Sequence, residues 1–179
     1  AVKKLSAVSG IKATPSSTSL KLTWNKVTGA EKYELQYIGG GKTLTKTVTA
    51  NTVTLSSLKT GTAYTVKIKA VAGSNKGAEG SLATATKPSK VKIKKAKSTK
   101  RKIASLTWGK VTGATRYQVQ YSTSKSFKKR TTKTTKSTKL TIKKLKSKKN
   151  YYVRVRAYKV VNGENIYGSW STVKKVKVK

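Results

Sequence analysis

The chain repeats itself. Leu22-Thr23-Trp24 returns as Leu106-Thr107-Trp108, and Val27-Thr28-Gly29-Ala30 returns as Val111-Thr112-Gly113-Ala114. Tyr33 and Tyr37 return as Tyr117 and Tyr121, and the pair Leu58 and Tyr64 returns as Leu145 and Tyr151. The offset is 84 residues through the first half of the unit and 87 at the Tyr64/Tyr151 pair. A nearly constant offset interrupted by small insertions means two copies of one folding unit. The 179 residues then divide into two small domains.

Within each copy the hydrophobic period is two. Leu20, Leu22 and Trp24 alternate with Lys21 and Thr23, and Tyr33, Leu35 and Tyr37 alternate with Glu34 and Gln36. Tyr64, Val66, Ile68 and Ala70 alternate with Thr65, Lys67 and Lys69. In the second copy Tyr151, Val153, Val155 and Ala157 alternate with Tyr152, Arg154 and Arg156. That is the strand period, with one face dry and the other wet. No stretch carries a helical repeat. Gly39-Gly40-Gly41 and Asn162-Gly163 punctuate the strands, and Asn-Gly predicts a tight hairpin with positive φ at both turn residues. Short alternating strands between frequent turns predict an all-β sandwich in each copy.

These motifs resemble the fibronectin type III pattern. The residues that carry the likeness are the Trp on the second strand, the Tyr-x-Leu/Val-x-Tyr third strand, and Leu-x5-Tyr-x-Val-x-Ile/Val-x-Ala. The resemblance covers nearly the whole chain and implies two immunoglobulin-like β-sandwiches in tandem. Leu58 to Tyr64 and Leu145 to Tyr151 match the tyrosine-corner spacing, in which a phenol pins nearby backbone. The expected boundary lies near Thr86-Lys87-Pro88-Ser89, giving domains 1–87 and 88–179. The Arg-Gly-Asp loop of some animal members is missing from Val71-Ala72-Gly73-Ser74-Asn75-Lys76-Gly77, so integrin binding does not carry over.

Charge decides which functions remain open. Lys and Arg total 42 against 4 acids, a net charge of +38. Residues 1–87 hold 13 basic and 3 acidic side chains, net +10, and residues 88–179 hold 29 and 1, net +28. This favours anionic partners and opposes self-association, so a monomer is expected. Only five of the basic residues are Arg. Lysine is a solvated point charge, so the field is general and not built from planar forks.

The inventory also excludes. There is no His, Cys or Asp, and the acids are Glu31, Glu34, Glu79 and Glu164. Acid–base catalysis needs two placed titratable groups, and hard cations need clustered carboxylates. An enzyme, a metal site and a cofactor are therefore not expected. A Lys–Asn isopeptide crosslink would need a buried Lys, Asn and acid, which the expected core positions lack. No apolar run is long enough for a membrane-spanning helix. Ala1-Val2-Lys3-Lys4 does not read as a leader, so a mature form or a fragment is expected. Absence of Cys and of Asn-x-Ser/Thr leans away from an animal ectodomain. The lysine-rich, Cys-free composition is similar to that of modules from Gram-positive surface proteins, which implies an extracellular, cell-wall setting.

The candidate binding residues cluster in the second copy. Alternation turns Tyr152, Arg154, Arg156 and Tyr158 away from the core, with Arg116, Gln118 and Gln120 on the same face of the neighbouring strand. Tyr167-Gly168-Ser169-Trp170-Ser171 should begin the last strand. It resembles the Trp-Ser-x-Trp-Ser box of cytokine-receptor type III domains, with Tyr167 in the first Trp position and Gly168 replacing the first Ser. The resemblance implies an aromatic–Arg ladder joining Trp170 to the arginines. A rigidifying ladder is the plainer reading and an anion or glycan platform the sharper one. They are compatible, because a stacked guanidinium keeps free donors. The first copy has Gly80-Ser81-Leu82 and no Arg, so it should lack the ladder.

A basic stretch containing Lys128, Lys129 and Arg130 follows, with Phe127 expected to anchor its loop. Its neighbours Lys125, Lys133 and Lys136 fit either polyanion contact or a solvated edge strand. Lys143, Lys144, Lys146, Lys148 and Lys149 read the same way. The expected function is a non-enzymatic spacer and adhesion module contacting an anionic polymer, teichoic acid or an acidic host glycan. A pure spacer and a nucleic-acid-binding module are the alternatives, and a protein partner is left open.

Overall fold

The computed structural model describes residues 4–179; Ala1, Val2 and Lys3, part of the opening segment considered above, lie outside the described residues. Every regular element among the described residues is a strand, and the chain forms two compact units.

In the first unit, the alternating segments become β1 (Lys12–Pro15), β2 (Leu20–Thr23), β3 (Lys32–Gly39), β4 (Lys42–Val48), β5 (Thr52–Leu55), β6 (Ala63–Ala72), β7 (Asn75–Lys76) and β8 (Gly80–Ala85). One sheet runs β1-β2-β5. The other runs β4-β3-β6-β7, with β8 also paired to β6. The second unit repeats this with β9 (Ile93–Lys97), β10 (Ala104–Trp108), β11 (Arg116–Ser122), β12 (Thr131–Thr135), β13 (Lys139–Ile142), β14 (Asn150–Val161), β15 (Glu164–Tyr167) and β16 (Lys174–Lys177). Its sheets run β13-β10-β9 and β12-β11-β14-β15, with β16 also on β14. β1–β2, β2–β5, β3–β4, β3–β6, β6–β7 and β6–β8 pair antiparallel, as do β9–β10, β10–β13, β11–β12, β11–β14 and β14–β16.

Each core lies between its two sheets. Leu20, Leu22 and Leu55 meet Tyr33, Leu35, Val66 and Ile68 in the first unit; Leu106 and Ile142 meet Tyr117, Val119, Val153 and Val155 in the second. Leu55 and Ile142 apart, these are the positions of the period-two pattern, because side chains on a strand alternate between faces. Trp24 packs edge-on against Tyr33 at 5.2 Å, and Trp108 against Tyr117 at 5.6 Å, a favoured aromatic geometry.

Tyrosines tie loops to this core. The Lys59 N–H donates to the Tyr64 hydroxyl at 3.0 Å, and the Lys146 N–H to the Tyr151 hydroxyl at 3.2 Å, which is the tyrosine corner in both copies. A second latch was not foreseen. The buried N–H groups of Val27 and Val111 each donate to a phenol oxygen, of Tyr33 and Tyr117, at 2.9 Å. The hairpin turns follow their glycines. Gly40 and Gly41 have φ of 62° and 81°, and Asn162 and Gly163 have 47° and 81°. Positive φ at both central residues gives the turn whose twist matches that of its strands.

Candidate functional site

The outer face of the β11–β14 sheet carries the site. In register, Arg116 lies opposite Tyr158, Gln118 opposite Arg156, and Gln120 opposite Arg154. Directly paired residues share a face, so the expected cluster is real as a placement.

Aromatic rings interleave with the two arginines. The Arg154 guanidinium carbon lies 4.1 Å from the Phe127 ring centre and 4.3 Å from that of Trp170. The Arg156 carbon lies 4.4 Å from Trp170 and 3.7 Å from Tyr167. Tyr167 in turn packs on Tyr158 at 5.1 Å. The order along the face is Phe127, Arg154, Trp170, Arg156, Tyr167, Tyr158.

Ser171 sets Trp170 between the arginines. Its N–H donates to the Val155 carbonyl at 2.8 Å, and its hydroxyl accepts from the Val155 N–H at 3.0 Å. Three residues earlier, the Gly168 N–H donates to the Ala157 carbonyl at 2.9 Å. Three steps on one strand thus oppose two on the other, the geometry of a bulge, which re-aims side chains. This corrects the expected start of the last strand: the box does not begin it. β15 ends at Tyr167 and β16 begins at Lys174, with the bulged segment between them. Gly168 also has a reason to replace serine. A Cβ there would run into the Pro88 carbonyl oxygen.

Phe127 reaches its rung through strained backbone. Phe127 and Lys129 have φ of 58° and 49°, a region bulky residues rarely adopt. The Ser122 hydroxyl holds the loop by donating to the Lys128 carbonyl at 2.7 Å and accepting from the Ser124 N–H at 3.1 Å. Phe127 is buried, so the expected anchor is present and also covers Arg154.

Neutral glutamines hold both guanidinium groups. Arg154 donates through Nε and Nη2 to Gln120 Oε1 at 3.0 and 2.7 Å, and Arg156 through Nε to Gln118 Oε1 at 2.8 Å. Gln120 is itself buried and donates to the Thr132 hydroxyl at 3.3 Å. Neither arginine pairs with a carboxylate among the described residues. Burial pulls the Arg154 guanidinium below its ordinary value, and the nearby Arg130 charge adds to this. Burial does the same to Arg156, with Tyr167 opposing and Arg154 reinforcing. Both stay cationic at neutral pH.

The other candidate residues divide. Tyr158 lies on the expected face but is buried under Tyr167. The expectation that Tyr158 is an outward-facing candidate contact is corrected, because a ring from the neighbouring strand covers it. Tyr152 is half-buried on that face, with Ser122 and Lys175 beside it in register, and is not a rung. Arg116 is exposed opposite Tyr158. Lys128, Lys129 and Arg130 are exposed on the loop that follows Phe127. Trp170 is half-exposed at the centre.

The first unit answers the same positions differently. Glu34 lies opposite Lys69, and Gln36 opposite Lys67. Lys67 and Lys69 reach Glu79 at 3.1 and 3.7 Å, and Lys76 reaches Glu34 at 2.7 Å. The Lys76 hydrogen bond holds the Glu34 carboxyl below its ordinary value. Glu31, just ahead of β3, accepts from the Gly73 N–H at 3.0 Å. The first face is thus partly neutralised by acids, and among the described residues the second is not.

Comparison with known proteins accounts for both units. The family model described as fibronectin type III domain matches residues 6–87 and again 86–173. The chain belongs to the fibronectin type III family. Among solved structures, a segment of two fibronectin type III domains from chicken tenascin is 20% identical, with a TM-score of 0.50, covering 94% of this chain and 98% of that one. The FN1-FN3 domains of chicken CNTN1 are 18% identical, also with a TM-score of 0.50, covering 98% of this chain and 69% of that one. At such identity these likenesses speak for the fold. No curated protein sequence is a significant match. Fibronectin type III domains are typically non-catalytic structural or adhesion modules and are commonly extracellular; the family matched is not an enzyme family. No helix among the described residues is long and apolar enough to cross a membrane.

Proposed function

We propose that this tandem, with modules 1–87 and 88–179, is a monomeric extracellular spacer and adhesion module of a Gram-positive envelope. Its partner is an anionic polymer, teichoic acid or an acidic glycan. One observation carries the reading. Against 42 cationic side chains there are 4 acids, and the ion pairs found among the described residues engage only Lys67, Lys69 and Lys76. The other cations have no protein counter-ion there, so each polymer charge they neutralise releases condensed ions. The Cys-free, lysine-rich composition supports the envelope setting. Nucleic acid fits less well, because single-strand binders offer open aromatic faces for stacking, and here Phe127, Trp170 and Tyr167 are occupied by guanidinium groups.

The test is retention on immobilised heparin and on poly(glycerol phosphate). Both should retain the full chain at about 0.1 M salt and release it steeply as salt rises, with little preference between them. Absence of retention on either would leave a spacer whose charge only keeps it soluble.

A further inference from the structure

The lysine field is diffuse, but one place on it is not. Arg154 and Arg156 are the cations whose planes are fixed on both sides by rings and at one edge by an amide oxygen. A surface lysine must give up rotamer freedom to hold an anion, whereas these groups have already been ordered by the fold. The amide partners also leave the charge intact. A carboxylate at Gln118 or Gln120 would have served equally well to fix the plane, and would have neutralised the cation. The first unit makes that contrast within one molecule. The residue equivalent to Gln118 is Glu34, and Glu79 lies between Lys67 and Lys69.

From this we infer that the Arg154–Trp170–Arg156 face is a pre-formed receptor for a single tetrahedral oxyanion carried on the polymer, a sulfate ester or a phosphodiester. Among the described residues Arg156 uses only Nε, and Arg154 leaves Nη1 free. Guanidinium N–H pairs match two oxygens of such a group. Arg130, whose charge adds to the lowering of the Arg154 guanidinium, lies with Lys128 and Lys129 on the same exposed loop. The receptor rests on the polyanion reading above and adds to it one directed contact within the general field.

The deciding variant is Gln118→Glu, which keeps an acceptor for Arg156 Nε and supplies the missing counter-charge. The control is Thr141→Glu, which makes the same one-unit change of net charge at an exposed residue of β13, in the other sheet. Both are made in the full chain and measured at about 0.15 M salt against two probes, a sulfated tetrasaccharide and a glycerol-phosphate oligomer of equal charge. Gln118→Glu should weaken binding of at least one probe about tenfold, the loss of one directed charge-assisted contact, with Tm held or raised. Thr141→Glu should weaken it less than about twofold. The probe that responds identifies the oxyanion. Equal small losses for the two variants would overturn the receptor and leave the diffuse polyanion reading standing. Failure of the unaltered chain to bind either probe, or any long polyanion, would remove both.

Discussion

Arg154 and Arg156 are held between aromatic rings and by neutral amide oxygens. Stacked on aromatic rings, each Arg–ring contact contributes about 0.5–1 kcal/mol where exposed and about 2 where water is excluded. Trp170 is the ring shared by both arginines. Trp170→Ala removes two of the contacts and should destabilise the second unit by about 2 kcal/mol, a fall in Tm of about 8–16 °C for a domain this size. Arg156→Lys should lower Tm by less, because an ammonium keeps the charge but cannot stack as a plane or form a fork. Calorimetry of the two variants checks the order. Unchanged Tm in Trp170→Ala would mean that the rings lie on the arginines without stabilising them.

At the scale of elements, the strands were legible and the devices that bend or latch them were not. The period of two is local, so Tyr151, Val153, Val155 and Ala157 announce a buried face without knowledge of any partner strand. The corner spacing of Leu58 to Tyr64 is local too. The bulge at Gly168–Ser171 depends on a serine bonded to Val155, sixteen residues away in sequence, and no pattern within the box predicts it. Tyr158 read as exposed because alternation gives its face and says nothing of the Tyr167 ring that covers it. Gln118 and Gln120 were placed on the right face, yet their role needed the register that sets each against an arginine. The Tyr117 latch spans only six residues, but it serves the core: Tyr117→Phe leaves the buried Val111 N–H without an acceptor. That should cost about 1–3 kcal/mol, and Tyr33→Phe should cost the first unit a similar amount. Denaturant titration reads both, with a fall in midpoint at unchanged slope.

For the whole molecule, the two units share a fold and differ in electrostatics. Residues 1–87 carry +10 and pair Lys67, Lys69 and Lys76 with acids, whereas residues 88–179 carry +28 with a single acid. Each unit closes its own core between two sheets, which is the ground for comparing 1–87 with 88–179 as separate chains. Polyanion binding should then belong mainly to the second. The direct measurement is the salt dependence of affinity for one sulfated polymer, taken on 1–87, on 88–179 and on the full chain. The log–log slope counts the polymer charges neutralised. A slope for 88–179 close to that of the full chain, and clearly steeper than that for 1–87, is the predicted result. Equal slopes for the separate units would contradict a field concentrated in the second.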